Sequence, residues 1–105
     1  MGAARKDFQD FPDGARDICL AALTIAAEGG KADIAKPVRG LGSGVLEIAL
    51  PFRGDAFRVF YAVQLGTDVW VVHAFQKKAH RGIGTPKHEI RLIRNRLKRL
   101  KEVLQ

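Results

Sequence analysis

Cysteine is nearly absent. Cys19 stands alone in 105 residues, which excludes an internal disulfide framework and fits a reducing compartment. Long apolar runs are missing too: the longest nearly apolar stretch, Ile18 to Ala27, reaches about half the length of a membrane span, so no membrane partner is expected. The start, Met1-Gly2-Ala3-Ala4-Arg5-Lys6, has no apolar core for a signal peptide, and Lys6 stands where myristoylation favours Ser or Thr. Cys19, His73, His80 and His88 lack the close spacing with which zinc ligands occur, so no metal and no cofactor is expected. There is no Gly-x-Ser-x-Gly elbow, and the glycines at 40–44 and 82–84 match neither a phosphate loop nor a dinucleotide fingerprint. These absences leave one small basic domain over residues 1–105, expected in the cytoplasm.

What is abundant is positive charge, and it is concentrated. The formal net charge is +7. Residues 1–75 carry eight Lys/Arg against nine Asp/Glu, whereas residues 76–105 carry ten against two, Glu89 and Glu102. One end of the chain therefore holds the whole excess. Such asymmetry is the footprint of a surface that meets a polyanion; the plainer alternative is the solvated face of a surface helix.

Hydrophobic spacing supplies the elements. Phe11, Ala15, Ile18, Ala22 and Ile25 recur at helical steps, which predicts a helix over about 12–28 with Asp10 as N-cap, Pro12 in its first turn and Gly29-Gly30 as its stop. Residues 33–37 read as a short turn. Val45–Leu50 reads as a strand closed by Pro51, Ala56–Gln64 as a second after the Arg53-Gly54-Asp55 turn, and Val69–Gln76 as a third. In the second, Phe57, Val59, Tyr61 and Val63 face one way, and Arg58, Phe60, Ala62 and Gln64 the other. Turns this short make the strands an antiparallel meander. Thr85-Pro86 predicts a capped helix start, and Ile90, Ile93, Leu97, Leu100 and Leu104 form one stripe of an amphipathic basic helix running to about Leu104. The fold class is α+β, with helices expected on one face of the sheet and the other face at least partly open.

Several polar residues stand out against this frame. Arg58 sits mid-strand between Phe57 and Val59; it either pairs with Glu47 on the neighbouring strand or is a cation displayed on the open face. Lys77-Lys78 directly follows the third strand, where both project from its end or simply solvate a turn. His73 alternates with Val71 and Phe75, as a buried, hydrogen-bonded histidine does. Tyr61 shares the core side of its strand, Trp70 lies among valines, and Cys19 falls inside an apolar helix, all readings of packing. His88, in the first helical turn, is poorly placed for a positive charge.

The runs Gly44-Val45-Leu46-Glu47-Ile48, Phe57-Arg58-Val59-Phe60-Tyr61, Val72-His73-Ala74-Phe75-Gln76-Lys77-Lys78 and Thr85-Pro86-Lys87-His88-Glu89-Ile90 together resemble the phage-derived branch of the RelE/HigB toxin superfamily. The resemblance covers roughly residues 35–100 in order and spacing. It implies a compact RelE-like domain and the toxin of a type II toxin–antitoxin system. Such a toxin is a ribosome-dependent mRNA endoribonuclease that needs no metal and uses the 2′-hydroxyl against the scissile phosphate. It implies Arg58, Lys77 and Lys78 on that phosphate, and proton transfer by Tyr61, His73 or His88, with Glu47 behind them. Arg53, Lys87, Arg91, Arg94, Lys98 and Lys101 would meet RNA at the ribosomal A site. The implied partner is a cognate helix-turn-helix antitoxin that covers the basic surface, with operator DNA bound only through that complex. Relatives of the ParE type inhibit DNA gyrase without cutting RNA and are the alternative; an inactive, degenerate toxin is the third.

Overall fold

The computed structural model describes residues 2–42, 44–65, 68–78 and 85–104. In chain order they form α1 (Gly2–Gln9), α2 (Asp13–Ala27), β1 (Ala35–Pro37), β2 (Val45–Phe52), β3 (Asp55–Leu65), β4 (Asp68–Lys78) and α3 (Lys87–Leu104). The strands make one antiparallel sheet in the order β1-β2-β3-β4. Arg53 and Gly54, with φ of 52° and 87°, join β2 to β3. A two-residue hairpin of the type I′ kind takes positive φ at both positions, which matches the twist of its strands.

The sheet is covered on both faces, not one. On one side α1, α2 and the link between them bury Phe8, Phe11, Ala15, Cys19 and Ala22 against Ile48, Leu50, Phe57, Val59 and Tyr61. On the other, Ile93 and Leu97 of α3 close over Leu41, Val45, Phe60, Ala62 and Val72. The strand alternation read for 57–63 therefore holds, and both of its faces find an apolar partner. The amphipathic stripe of α3 needs such a partner, and the row around Phe60 supplies it.

The local departures, in α1, α2, β1 and α3, have simple causes. α1 has no counterpart in the sequence reading, yet Ala4 and Phe8, one helical turn apart, are buried against the sheet. α2 begins after Pro12, whose carbonyl accepts from Arg16 N at 2.9 Å, so Asp10 does not cap it. Its buried stripe is Ala15, Cys19, Ala22 and Ala26, while Ile18 and Ile25 are each 41% exposed. Small side chains let the helix approach the sheet closely, and the large residues flank the contact. Residues 35–37 are a strand, not a turn, paired with Leu46–Ile48. Because β1 ends there, the β1 side of β2 is unpaired at Pro51, and the proline's missing N–H leaves no ladder bond unmade. At the far end, Pro86 O accepts from Ile90 N at 3.2 Å, so α3 starts one residue later than read. Leu104, in its last turn, is 42% exposed rather than part of the core.

Candidate functional site

Antiparallel register fixes which side chains share a face. On the α3 side, three successive rows are Glu47–Phe60–His73, Ala49–Arg58–Phe75 and Pro51–Ala56–Lys77. The N-terminal turn of α3 reaches the first row. Arg58 Nη1 donates to Glu47 Oε2 at 2.7 Å, and Thr85 Oγ1 donates to the same oxygen at 3.4 Å. Thr85 thus turns its hydroxyl to the sheet instead of capping α3. The two charged side chains are 17% and 20% exposed, so the pair forms and still reaches solvent. Arg58 Nε is buried without an acceptor among the described residues. Beside it, the Phe75 ring stacks on Phe60 at 6.4 Å and on His73 at 5.4 Å between centroids.

His73 is a joint between β4 and α3. The register shifts between Phe60 and Tyr61, where Phe60 faces His73 but Tyr61 faces Val71. The extra residue, Val72, is a bulge, and it turns His73 away from the face Val71 occupies. Arg96 Nη1 lies 2.8 Å from His73 Nδ1 and donates to Val72 O at 3.0 Å. Guanidinium nitrogens only donate, so Nδ1 is the acceptor and Nε2 carries the hydrogen. Nε2 then donates to Glu89 Oε2 at 3.1 Å. Arg96, His73 and Glu89 form a continuous polar chain in which the imidazole is 4% exposed. Glu89 and Arg96 were missed as site residues. Seven residues apart on α3, they lie at the margin of the apolar stripe with opposite charges, and that spacing facing a strand histidine is the signal available in the sequence.

The remaining candidates divide. Tyr61 is fully buried on the opposite face, within the α1–α2 core. Its hydroxyl has no partner among the described residues, and burial raises its pKa above the usual 10.0. It does not join the Arg58 cluster. Lys77 lies one row beyond Arg58 at 9% exposure. Lys78 ends β4 opposite Asp55; its side chain, like His80 and the rest of the basic loop at 79–84, lies outside the described residues. His88 is 76% exposed, with Nε2 3.5 Å from Glu89 Oε1. Arg53 sits at the hairpin tip with its guanidinium 5.1 Å from the Phe52 ring centre. Lys87, Arg91, Arg94, Lys98 and Lys101 are all exposed and share one flank of α3, within roughly a quarter of its circumference at 3.6 residues per turn. Among the described residues no three His, Cys, Asp or Glu side chains gather as metal ligands. No described helix is long and apolar enough to cross a membrane.

The described residues form a small α+β domain with an arginine–glutamate pair on a sheet face beside a helix with one cationic flank. The chain belongs to the family described as Phage derived protein Gp49-like (DUF891), whose model matches residues 6–98. That family is toxin-like, of the RelE/HigB type. Comparison with curated proteins and with solved structures gives no match.

Proposed function

We propose that the protein is the toxin of a type II toxin–antitoxin system and cuts mRNA on the ribosome without a metal ion. The observation that carries this reading is the Arg58–Glu47 pair on the α3 side of the sheet, where both side chains still reach solvent beside the start of that helix. Cleavage by the neighbouring 2′-hydroxyl requires a base for that hydroxyl, cations for the charge that grows on the phosphorane, and an acid for the leaving oxygen. Arg58 supplies the cation, with Lys77, one row beyond it on the same face, at the same phosphate or its neighbour; Lys78, at the end of β4 and in the alternate row, is assigned to the neighbouring backbone. Glu47 takes the base role: its carboxylate is already at the guanidinium, whereas Tyr61 is on the other face and both ring nitrogens of His73 are engaged. The 2′ oxygen bonds to phosphorus and the bond to the 5′ oxygen breaks, leaving a cyclic 2′,3′-phosphate and a 5′-hydroxyl. The acid role is assigned to His88, of the two described histidines the one open to solvent.

The cationic flank of α3 spans about 21 Å from Lys87 to Lys101 at 1.5 Å per residue, a length suited to several phosphates of ribosomal RNA bound without sequence readout. A helix-turn-helix antitoxin, repressing its operon through operator DNA, completes the proposal. Primer extension on a defined mRNA in a purified translation system tests it. In-frame cuts that need ribosomes and vanish with Arg58→Ala are expected. Intact mRNA with the wild-type protein overturns it, and a supercoiling assay then addresses the gyrase alternative.

A further inference from the structure

On the face of the sheet opposite Arg58, α1, α2 and the first residues of β4 enclose a groove of about 660 Å³. Its walls are Phe8, Leu20, Leu23, Val69 and Val71, with Arg5 and Arg16 also lining it. Arg16, Leu20 and Leu23 climb α2 at steps of four and three, which puts them on one flank of the helix. Leu20 is 45% exposed, a large apolar side chain left in water beside other apolar groups. Contiguous apolar surface of this kind marks a contact site. We infer that the groove receives an amphipathic helix of a partner protein, its apolar residues against Leu20, Leu23 and Val69 and its carboxylates against Arg5 and Arg16.

The alternatives fit less well. Small-molecule sites carry converging polar groups that orient the ligand, and here the polar groups are mainly two arginines and Gln9. A twofold dimer through this patch would bring Arg5 and Arg16 of one copy toward those of another. An acidic helix complements both features at once. Arg16 now donates to Asp13 Oδ1 at 2.7 Å and to Gln9 O at 3.0 Å; Asp13 is 89% exposed, and a surface pair of that kind contributes little and exchanges readily, while the bond to Gln9 O holds the guanidinium at the α1 end of the groove. Two helical walls beside an apolar strand end form a groove of the kind an amphipathic helix enters with apolar anchors spaced by three and four residues along its own length. The proposal does not depend on the chain cutting RNA.

The probe is a synthetic peptide of about 15 residues with leucines at helical spacing flanked by glutamates, labelled for fluorescence anisotropy against the 105-residue chain. A second peptide carries lysines in place of the glutamates. Saturable binding of the acidic peptide is expected at about 0.15 M salt, where long-range attraction is screened. Leu20→Glu, at an exposed position that leaves the fold intact, should weaken it about tenfold or more. The double variant Arg5→Glu/Arg16→Glu should reverse the preference to the lysine peptide. Arg94→Glu/Lys98→Glu on α3 should leave binding within about twofold. No binding overturns the proposal, as does binding that ignores Leu20→Glu or disappears with the α3 variant, which would be bulk charge attraction.

Discussion

Arg58 and Glu47 meet on a diagonal of the sheet. The register sets Arg58 opposite Ala49 and Glu47 opposite Phe60, yet Nη1 and Oε2 are 2.7 Å apart. Ala49 is what makes room: its methyl group leaves the space beside Arg58 open, and the guanidinium leans one row toward α3 to reach the carboxylate. The pair therefore points to the place where Thr85 and the first turn of α3 meet the sheet. Of the two sequence readings of Arg58, the ion pair and the displayed cation, the geometry contains elements of both.

Replacing either partner separates its two roles. Arg58→Ala is expected to lower stability by about 1–3 kcal/mol, the range for losing a hydrogen bond to a charged group, and to lower RNA cleavage about 10²–10³-fold. Glu47→Gln keeps an acceptor for the guanidinium, so urea unfolding should shift less than with Arg58→Ala. Cleavage should nevertheless fall about 10²-fold, because the amide cannot take a proton. Cleavage within a few-fold of wild type in Glu47→Gln would make Glu47 only a positioning residue for Arg58.

The polar chain through His73 is expected to act on stability before chemistry. His73→Leu removes the acceptor for Arg96 and the donor for Glu89 and should cost about 2–3 kcal/mol. His73→Gln still offers one acceptor and one donor and should recover a good part of that loss. Cleavage per folded molecule should fall less than about tenfold in either variant. A larger fall in His73→Gln with unfolding close to wild type would move His73 into the proton-transfer chemistry.

Much of this arrangement was legible in the sequence, and the reasons for the rest are local. The alternation of Phe57 through Val63 and the stripe Ile90, Ile93, Leu97 and Leu100 gave β3 and α3 directly, because long periodic runs outweigh their ends. β1 has three residues, too few for alternation to register, and α1 shows one buried turn. Tyr61 and Arg58 fall on opposite faces by simple parity, which already separates them. His73 and Val71 share parity and yet part, because the bulge at Val72 adds a residue that no spacing announces. Arg96 was hidden among ten cations of the last thirty residues, and only its contact with a strand histidine distinguishes it from its solvated neighbours.

Cys19 gives the stability a slope in alkali. Burial in α2 pushes the thiol from its usual 9.0 up to about 11, so the unfolded chain loses this proton first as pH rises. The contribution is fully present below pH 9 and is lost between pH 9 and about 11. It amounts to on the order of 2–3 kcal/mol across that window. The raised Tyr61 acts in the same direction above pH 10. Urea midpoints should therefore decline across this range, and less steeply in Cys19→Ala, whose small cavity cost is independent of pH. Equal slopes in the two proteins would show that the thiol does not titrate on unfolding.

The flank of α3 carries the last prediction. Arg94 and Lys98 lie one turn apart and are both exposed, and neither side chain belongs to the buried stripe, so Arg94→Gln/Lys98→Gln should leave thermal unfolding within about 0.5 kcal/mol of wild type. Each phosphate contact on a single strand contributes about 0.7 to the slope of log K against log salt, and on a duplex about 0.9. If both residues contact ribosomal RNA, co-sedimentation with ribosomes over a salt series should show the slope reduced by about 1.4–1.8 and affinity falling most at low salt. Arg53, at the far end of the β2–β3 hairpin, serves as the comparison: if the RNA track runs only along α3, Arg53→Gln leaves the slope unchanged. A slope that is insensitive to Arg94 and Lys98 but sensitive to Arg53 would instead place the ribosome contact at the hairpin end of the sheet and leave the α3 cations as a solvated face.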